Sequence, residues 1–200
     1  MIPQTYIFYG PTNSGKGTQA LLLKEYLEKN DSEHKVLYIE TGAFFREFAQ
    51  KDNYTSKLTK DIIEKGGLMP EFLPIWLWAD FLVKNYTGNE HCIFDGLARR
   101  VEEAPILDKA LRFYKKENVV VLSLNVSHEH SIARSLGRGR SDDEEEKVKK
   151  KFDWYDNNVV PTIEFFRNNP DYTFFDINGE QTIEEVHRDI VLKLQNTSTK

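Results

Sequence analysis

Cysteine is almost absent from this sequence, which contains only Cys92. A single cysteine cannot close an internal disulfide, so the chain lacks the framework of a disulfide-stabilised secreted domain and fits a reducing compartment. It also cannot supply the thiolate set of a zinc knuckle, and we expect no zinc. Cys92 lies in an apolar run, which favours a packed core thiol over a reactive one.

Long hydrophobic runs are missing as well. The longest apolar stretch, residues 72–83, contains Pro74 and Asp80 and is too short to cross a bilayer, so we interpret it as a buried helix. No targeting segment stands out at the N-terminus, because a strand-like segment and a glycine-containing loop begin almost at once. We therefore expect a cytoplasmic protein with no membrane partner.

The sequence also lacks an excess of positive charge. The net charge of -5 and the isoelectric point near 5.6 argue against a general nucleic-acid binder. An anionic ligand would have to be held by a local cluster of basic residues. The length of 200 residues fits one domain with a substantial core, and we expect it to be a monomer.

What the sequence does contain is a glycine-flanked loop with a lysine, residues 10–18 (Gly-Pro-Thr-Asn-Ser-Gly-Lys-Gly-Thr). A β-branched and aromatic segment precedes it, and apolar residues at helical spacing follow it, which is the context of a phosphate-binding P-loop. Gly10 and Gly15 allow backbone N–H groups to point inward, and Lys16 adds a mobile positive charge. An ordinary strand-to-helix turn is the alternative; spacing and context together favour phosphate binding.

Strand-like and helix-like segments alternate along the chain. The predicted strands are residues 5–9, 35–40, 91–95, 119–124 and 172–177. The predicted helices are about 18–29, 41–50, 56–65, 101–116, 128–136, 141–167 with a bend at Pro161, and 182–194, with one more starting at Pro70. This alternation predicts an α/β fold with a five-stranded parallel sheet and helices on both faces. Ligands then bind at the carboxyl ends of the strands, where Glu40, Asp95 and Asn125 lie.

Arginines are concentrated in segments that leave these strand ends. A planar guanidinium suits phosphate oxygens, and phosphoryl transfer needs mainly alignment, neutralised charge and exclusion of water. The candidates are Arg46, Arg99, Arg134, Arg138 and Arg140. A solvated surface arginine is the alternative, and it applies best to Arg100 and Arg112. Asp95 is a candidate Walker B-type carboxylate that reaches Mg²⁺ through water.

Along nearly its whole length the sequence resembles adenylate kinase and related nucleoside monophosphate (NMP) kinases. Residues 10–19 match that family's P-loop, including a glycine after the lysine, and residues 67–70, 95–99 and 140–143 resemble further motifs. The resemblance implies one P-loop three-layer kinase domain spanning residues 1–200. Its parts would be a core (1–40, 70–135 and 142–200), a small helical NMP-binding insertion (about 41–69) and a very short lid loop (about 136–141).

The implied activity is transfer of the γ-phosphate of MgATP to a nucleoside monophosphate, with AMP as the first choice of acceptor. Another or relaxed acceptor base (GMP, UMP, CMP or dAMP), a P-loop switch or hydrolase, and a binder without catalysis remain alternatives. The implied ATP-binding residues are Gly10, Asn13, Ser14, Gly15, Lys16, Gly17, Thr18, Arg134, Arg138 and Gly179. The implied NMP-binding residues are Thr41, Gly42, Arg46, Gly67, Leu68, Met69, Gly96, Arg99, Glu103 and Arg140. The implied catalytic residues are Lys16, Arg99, Arg138, Arg140 and Lys151, and Thr18 and Asp95 would steer Mg²⁺, mainly through water.

Several positions depart from the family pattern. Only Gly139 separates Arg138 from Arg140, which makes the lid very short. Lys151 stands where the family has an arginine. A lysine keeps the positive charge but lacks the planar, two-pronged set of hydrogen-bond donors of a guanidinium. Ala98 replaces a proline that follows a cis peptide bond in the family. Since a cis bond before alanine costs about 2.5–4 kcal/mol, we predict a trans peptide and a reshaped Arg99 loop.

Glu103 is the sharpest departure, because it aligns with the glutamine that reads the acceptor adenine in the family. An ionised glutamate offers only hydrogen-bond acceptors, which suit the N1–H and N2–H groups of guanine better than adenine. A mismatched polar group costs about 1–3 kcal/mol. Glu103 could therefore loosen adenine selectivity, shift it, or point to solvent beside Glu102.

Overall fold

The computed structural model describes residues 2–65, 67, 69–138 and 145–197. Its sheet has five parallel strands in the order β2-β3-β1-β4-β5. They are β1 (Thr5–Tyr9), β2 (Val36–Glu40), β3 (His91–Asp95), β4 (Val119–Asn125) and β5 (Tyr172–Asn178). The predicted five-stranded parallel sheet is confirmed, and its first, central strand leads directly into the P-loop.

Helices connect the strands and cover the sheet. They are α1 (Lys16–Asn30), α2 (Thr41–Phe48), α3 (Tyr54–Glu64), α4 (Phe72–Asn85), α5 (Ala104–Phe113), α6 (His128–Arg138), α7 (Glu145–Trp154), α8 (Val160–Arg167) and α9 (Ile183–Thr197). A π-helical turn, Tyr155–Val159, joins α7 to α8. Helices α2 and α3 lie between β2 and α4 in sequence and form the helical part of the predicted insertion.

The core has two layers, one on each face of the sheet. Alternate residues of β1 point to opposite faces, as the strand period requires. Ile7 and Tyr9 pack with side chains from α4, α5 and α8, whereas Tyr6 and Phe8 pack with side chains from α1 and α9. The three-layer arrangement predicted from the sequence is therefore confirmed. Cys92 is fully buried in the first layer, and burial raises the pKa of its thiol to about 11, as expected for a packed core thiol.

Helix α4 is less buried than its sequence predicts. Leu73, Leu77 and Trp78 are buried, but Phe72 and Trp76 are 64% and 50% exposed. The expectation of an all-round buried helix is wrong, because α4 packs only one face against the sheet and α2. Among the described residues, no helix has the length and apolar character needed to cross a membrane.

The predicted helix over 141–167 is interrupted in the structure. Pro161 has no backbone N–H to donate to the carbonyl of Asn157, and its ring crowds the preceding turn. The chain responds with the π-helical turn, in which the Val160 N–H reaches back to the Tyr155 carbonyl. At the other predicted boundary, α6 continues through Arg138, so residues 136–138 of the proposed lid loop are helical and residues 139–141 lie outside the described part.

Candidate active site

A cavity of about 1050 Å³ opens at the carboxyl ends of β1, β2 and β3. This volume is at the upper end of the range for small-molecule sites. The residues that line it are Phe8, Tyr9, Gly10, Thr12, Asn13, Lys16, Glu40, Thr41, Gly42, Phe45, Arg46, Ala49, Gln50, Lys60, Ile63, Glu64, Gly67, Met69, Pro74, Asp95, Gly96, Arg99, Glu103, Lys151, Trp154, Tyr155 and Val159. The cavity therefore joins the P-loop to the α2–α3 segment and to the loop after β3.

The P-loop has the backbone geometry of an anion cradle. Gly10 and Gly15 have φ values of 153° and 90°, and Asn13 has a φ of 58°. A Cβ atom on Gly10 would lie 2.6 Å from the Ser14 Oγ, so only glycine fits this close turn. Helix α1 begins at Lys16, whose side chain lines the cavity. The loop and the unpaired N–H groups of the first turn of α1 can together surround phosphate oxygens.

Gly17 explains the glycine that follows the lysine. A Cβ atom at this position would lie 3.2 Å from the Asp95 Oδ2, so the absence of a side chain lets α1 approach the end of β3. Thr18 is exposed and does not line the cavity. The part of Thr18 in steering Mg²⁺, mainly through water, stays a prediction.

Asp95 ends β3 and is buried in the wall of the cavity. Tyr38 donates its hydroxyl to the Asp95 Oδ2 at 3.3 Å, and the Oδ1 has no hydrogen-bond partner among the described residues. Burial raises the pKa of this carboxyl, while the charges of Lys16 and Arg99 oppose the shift. An oxygen that lacks a protein donor next to a phosphate loop fits the water shell of a hard divalent cation such as Mg²⁺.

The side of the cavity formed by α2 contains Arg46. Its Nη2 donates to the Glu40 Oε1 at 2.9 Å, and the two side chains are 46% and 31% exposed. A Cβ atom on Gly42 would lie 3.1 Å from the Arg46 Nη1, so this glycine leaves room for the guanidinium. Thr41 donates its hydroxyl to the Gly96 carbonyl at 3.0 Å and ties the start of α2 to the loop after β3.

The loop that carries Arg99 is held in an unusual backbone conformation. Gly96 and Ala98 have φ values of 73° and 47°, a region that L-residues rarely adopt. No cis peptide bond occurs in the described residues, which confirms the predicted trans bond between Leu97 and Ala98. Arg99 donates from its Nε to the Gly96 carbonyl at 2.9 Å, and Tyr9 donates its hydroxyl to the Ala98 carbonyl at 3.2 Å.

Glu103 follows this loop and is only 2% exposed. It lines the cavity, so the alternative in which it points to solvent beside Glu102 is wrong. Its Oε2 is buried without a hydrogen-bond partner among the described residues. Burial raises the pKa of the carboxyl to about 7, against the opposing effects of a hydrogen bond from the Arg99 backbone and the charges of Arg99 and Arg100.

The predicted donor residues outside the cavity are close to the P-loop. Arg134 donates from its Nη2 to the Gly179 carbonyl at 3.0 Å, and its Nη1 lies 3.4 Å from the Ser14 carbonyl oxygen. A Cβ atom on Gly179 would lie 2.7 Å from the Val126 Cγ1, so the turn packs tightly behind the loop. The structure thus brings Arg134, the P-loop and the Gly179 turn together.

Other predicted residues divide into two groups. Gly67, Met69 and Lys151 line the cavity as predicted. Leu68 and Arg140 lie outside the described residues, as does the side chain of Arg138, whose backbone belongs to α6.

Several cavity residues were missed by the sequence analysis. They include Phe45, Lys60, Ile63, Glu64, Trp154 and Tyr155. The spacing of Lys60, Ile63 and Glu64 places them on one face of α3. That spacing was visible in the sequence, but nothing in it indicated which face of α3 turns towards the cavity.

A second cluster of polar side chains lies at the opposite, amino-terminal edge of the sheet. Asp31, His34 and His91 are close enough to hold a metal ion among the described residues. However, the Gln4 backbone N–H donates to the His91 Nδ1 at 3.1 Å, which places the imidazole proton on the Nε2, facing Asp31 at 3.1 Å. A protonated Nε2 has no lone pair for a metal, and we interpret the cluster as a structural hydrogen-bond network.

Comparison with known proteins is consistent with this geometry. A family profile described as "Adenylate kinase" matches residues 8–170. The adenylate kinase of Leptospira biflexa serovar Patoc (strain Patoc 1 / Ames) is 32% identical over 189 residues, which cover 92% of this chain and 96% of that protein. The adenylate kinase of Phocaeicola vulgatus is 32% identical over 193 residues, or 94% of this chain and 97% of that protein. The adenylate kinase of Flavobacterium psychrophilum is 29% identical over 185 residues, which cover 90% of this chain and 92% of that protein.

Proposed function

The chain belongs to the adenylate kinase family, and on that premise we propose that it transfers the γ-phosphate of MgATP to AMP to form two molecules of ADP. One observation carries the proposal. A single continuous cavity is lined by Lys16 of the P-loop and by Arg46 and Arg99 of the segments after β2 and β3. Cationic groups from three sequence-distant segments therefore surround the space where two anionic phosphate chains would meet.

The donor nucleotide is proposed to bind at the P-loop. The backbone N–H groups from Gly10 to Gly17 and the Lys16 ammonium would hold its β- and γ-phosphates. Arg134, which contacts the carbonyls of Ser14 and Gly179, would lie against the donor adenine. The role of Arg138 on the donor phosphates rests on the family resemblance.

The acceptor nucleotide is proposed to bind between α2, α3 and the loop after β3. Arg46 and Arg99 would hold its phosphate, because both arginines line the cavity and a guanidinium suits phosphate oxygens. Thr41, Gly42, Gly67, Met69 and Glu103 would surround its nucleoside. The roles of Leu68 and Arg140 rest on the resemblance alone.

The chemistry requires no general base, because the acceptor phosphate is already an anion. The protein has to align the two phosphates, neutralise their charge and exclude water. Lys16, Arg99 and Lys151 line the cavity and supply positive charge. Asp95 would hold Mg²⁺ through water, and bound Mg²⁺ neutralises charge on the β- and γ-phosphate oxygens.

We also propose how the molecule is organised around this reaction. The segment of about residues 41–69 would act as the acceptor-binding insertion that closes over the cavity, together with a short lid after α6. The enzyme would work as a cytoplasmic monomer. Light scattering of the purified protein tests the monomer, with a dimer mass as the contradicting result.

The decisive experiment measures ADP formation from MgATP with AMP, GMP, CMP, UMP or dAMP, and without any acceptor. We expect acceptor-dependent turnover that is highest with AMP near neutral pH. Arg99→Ala should lower kcat/KM for AMP by about 10²–10³-fold, because it removes a charge-assisted contact to the reacting phosphate. Arg112→Ala, which removes an exposed arginine on α5, is the matched control and should leave turnover unchanged.

Three results would contradict the proposal. Unchanged turnover in Arg99→Ala would remove the assigned role of this arginine. ATP hydrolysis that is independent of an acceptor would favour the switch or hydrolase alternative. Tight binding of both nucleotides without turnover would indicate a kinase-like binder that no longer catalyses.

A further inference from the structure

Glu103 carries a carboxyl group that is buried in the wall of a cavity also lined by apolar side chains. Only 2% of the residue is exposed, and its Oε2 has no hydrogen-bond partner among the described residues. Phe45, Ile63 and Met69 line the same cavity, and apolar side chains with a few polar groups are typical of sites for planar ligands. A buried polar group without a protein partner is costly, so a ligand that supplies the missing hydrogen bond gains affinity there.

The two protonation forms of a carboxyl group offer different hydrogen-bond patterns. The neutral acid has one O–H donor and one carbonyl acceptor, whereas the carboxylate has acceptors only. Adenine presents an acceptor at N1 beside a donor at N6, which matches the neutral acid. Guanine presents two donors, N1–H and N2–H, which match the carboxylate.

We propose that the protonation state of Glu103 selects the acceptor base: the neutral acid binds AMP and the carboxylate binds GMP. This inference rests on the proposed function, because it names what determines the acceptor at that same site. The acceptor preference of this protein would therefore depend on pH. A glutamine at this position cannot ionise and would keep one hydrogen-bond pattern, with one donor group and one acceptor.

The surroundings of Glu103 keep both forms accessible near neutral pH. The charged and titratable groups that face it are Arg99 and Arg100 on its own segment, Glu71 before α4 and Tyr9 on β1, with Lys151 on the wall of the same cavity. Burial favours the neutral acid most strongly, Glu71 acts in the same direction, and the two arginines favour the carboxylate. The resulting pKa of about 7 supports a switch between the two forms in the working range.

The expected sign follows from the ratio of the two forms. As pH rises, the neutral acid becomes rarer relative to the carboxylate by tenfold per pH unit. The ratio of kcat/KM for AMP to kcat/KM for GMP should therefore fall by up to about tenfold per pH unit. Titration of the acceptor phosphate and of ATP affects both acceptors alike and cancels in this ratio.

The experiment measures this ratio between about pH 6 and pH 8, below the ionisation of guanine N1–H itself. Wild type and the neighbouring variant Glu102→Gln should show the same fall, since Glu102 is exposed. Glu103→Gln should make the ratio independent of pH, because the amide cannot ionise. A ratio that stays constant in wild type, or that falls equally in Glu103→Gln, would overturn the proposal.

A binding measurement separates this inference from the proposed function. Calorimetric titration with AMP in buffers of different ionisation enthalpy reports the protons taken up on binding. Wild type at about pH 8 should take up close to one more proton per AMP than Glu103→Gln, and no such excess should appear with GMP. If no acceptor is phosphorylated but the excess uptake is present, the proposed function fails and the role of Glu103 stands. Equal uptake by the two proteins overturns the role of Glu103 even if turnover is normal.

Discussion

Arg46 donates a hydrogen bond to Glu40 across 2.9 Å, so the guanidinium proposed to hold the acceptor phosphate already has an anionic partner. The two side chains line the same cavity, and Gly42 leaves the space in which they meet. An acceptor phosphate would have to compete with the Glu40 carboxylate for Arg46. Glu40 is therefore expected to weaken acceptor binding.

Glu40→Gln should tighten the binding of AMP. Half-exposed ion pairs are worth at most about 1 kcal/mol, so we expect the Kd for AMP to fall by about 2- to 5-fold. Binding measured by calorimetry checks this. Asp80→Asn removes the same charge from a surface pair with Lys84 and should have no effect. Weaker binding in Glu40→Gln would mean that Glu40 holds Arg46 in a productive position.

Gly96→Ala should impair both stability and activity. The residue has a φ of 73°, and a Cβ atom would lie 2.5 Å from the Arg99 Nη2, so Arg99 must move. We expect a loss of about 1–3 kcal/mol in the free energy of unfolding and a large fall in kcat/KM for AMP. Gly88→Ala is the matched control, because Gly88 has a φ of 108° with nothing within 4 Å of an added Cβ atom. The Gly88→Ala variant should lose stability but keep its activity. An equal loss of activity in both variants would contradict the role of the Arg99 contact.

Asp95→Asn should stabilise the nucleotide-free protein while it lowers activity. Burial raises the pKa of Asp95, which means that its ionised form is less favourable in the folded protein than in the unfolded chain. The folded state therefore loses stability as pH rises from the ordinary pKa of an aspartate to the raised pKa of Asp95. The amide of asparagine stays neutral, so the variant avoids this loss. Thermal unfolding should shift upward by about 2–4 °C for each kcal/mol regained. Turnover at limiting Mg²⁺ should fall at least about tenfold. A lower unfolding temperature in Asp95→Asn would contradict the predicted gain in stability.

Asp31→Asn should destabilise the fold at the edge of the sheet far from the cavity. Asp31 accepts hydrogen bonds from His34 and His91, and these contacts hold the pKa of its carboxyl well below the usual range. An acid with a depressed pKa stabilises the protein above its ordinary pKa, and this contribution is lost as pH falls through the folded value.

Urea unfolding from neutral to acid pH measures this effect. The midpoint of Asp31→Asn should lie below that of wild type at neutral pH, and the two should converge in acid. Asp52→Asn is the control, since its carboxylate is exposed and forms a surface ion pair with Lys57 at 3.1 Å. Parallel curves with no convergence would show that the charge of Asp31 is not the cause.

The sheet was predictable because its strands are short, apolar and bounded by turn residues. Residues 5–9 and 91–95 were predicted with the bounds that β1 and β3 have. Helix ends were less predictable: α5 begins at Ala104 instead of 101, with Pro105 in its first turn, where a missing N–H is tolerated. Helix α4 was predicted as wholly buried because its residues are mostly apolar. Composition does not show how many faces of a helix pack against other elements.

The site was predictable where a motif sets the backbone and unpredictable where packing decides. Gly10, Gly42, Gly96, Arg46 and Arg99 were predicted from local geometry, charge and the family resemblance, and they do line the cavity. The direction of Glu103 depends on how the loop after β3 folds back, and the inward face of α3 with Lys60 depends on how the insertion packs. Neither is encoded by spacing along a single segment.

The π-helical turn before Pro161 adds a residue to one revolution of the helix. Each residue of a regular helix accounts for about 100° of rotation, so a residue added to a regular α-helix would turn everything before it by that angle. The wide turn takes up the added residue locally, and Lys151 and Trp154 face the cavity while Ile163 and Phe166 stay in the core. The π-helical turn thus keeps the half of the helix that lines the cavity in phase with the half that packs on the sheet.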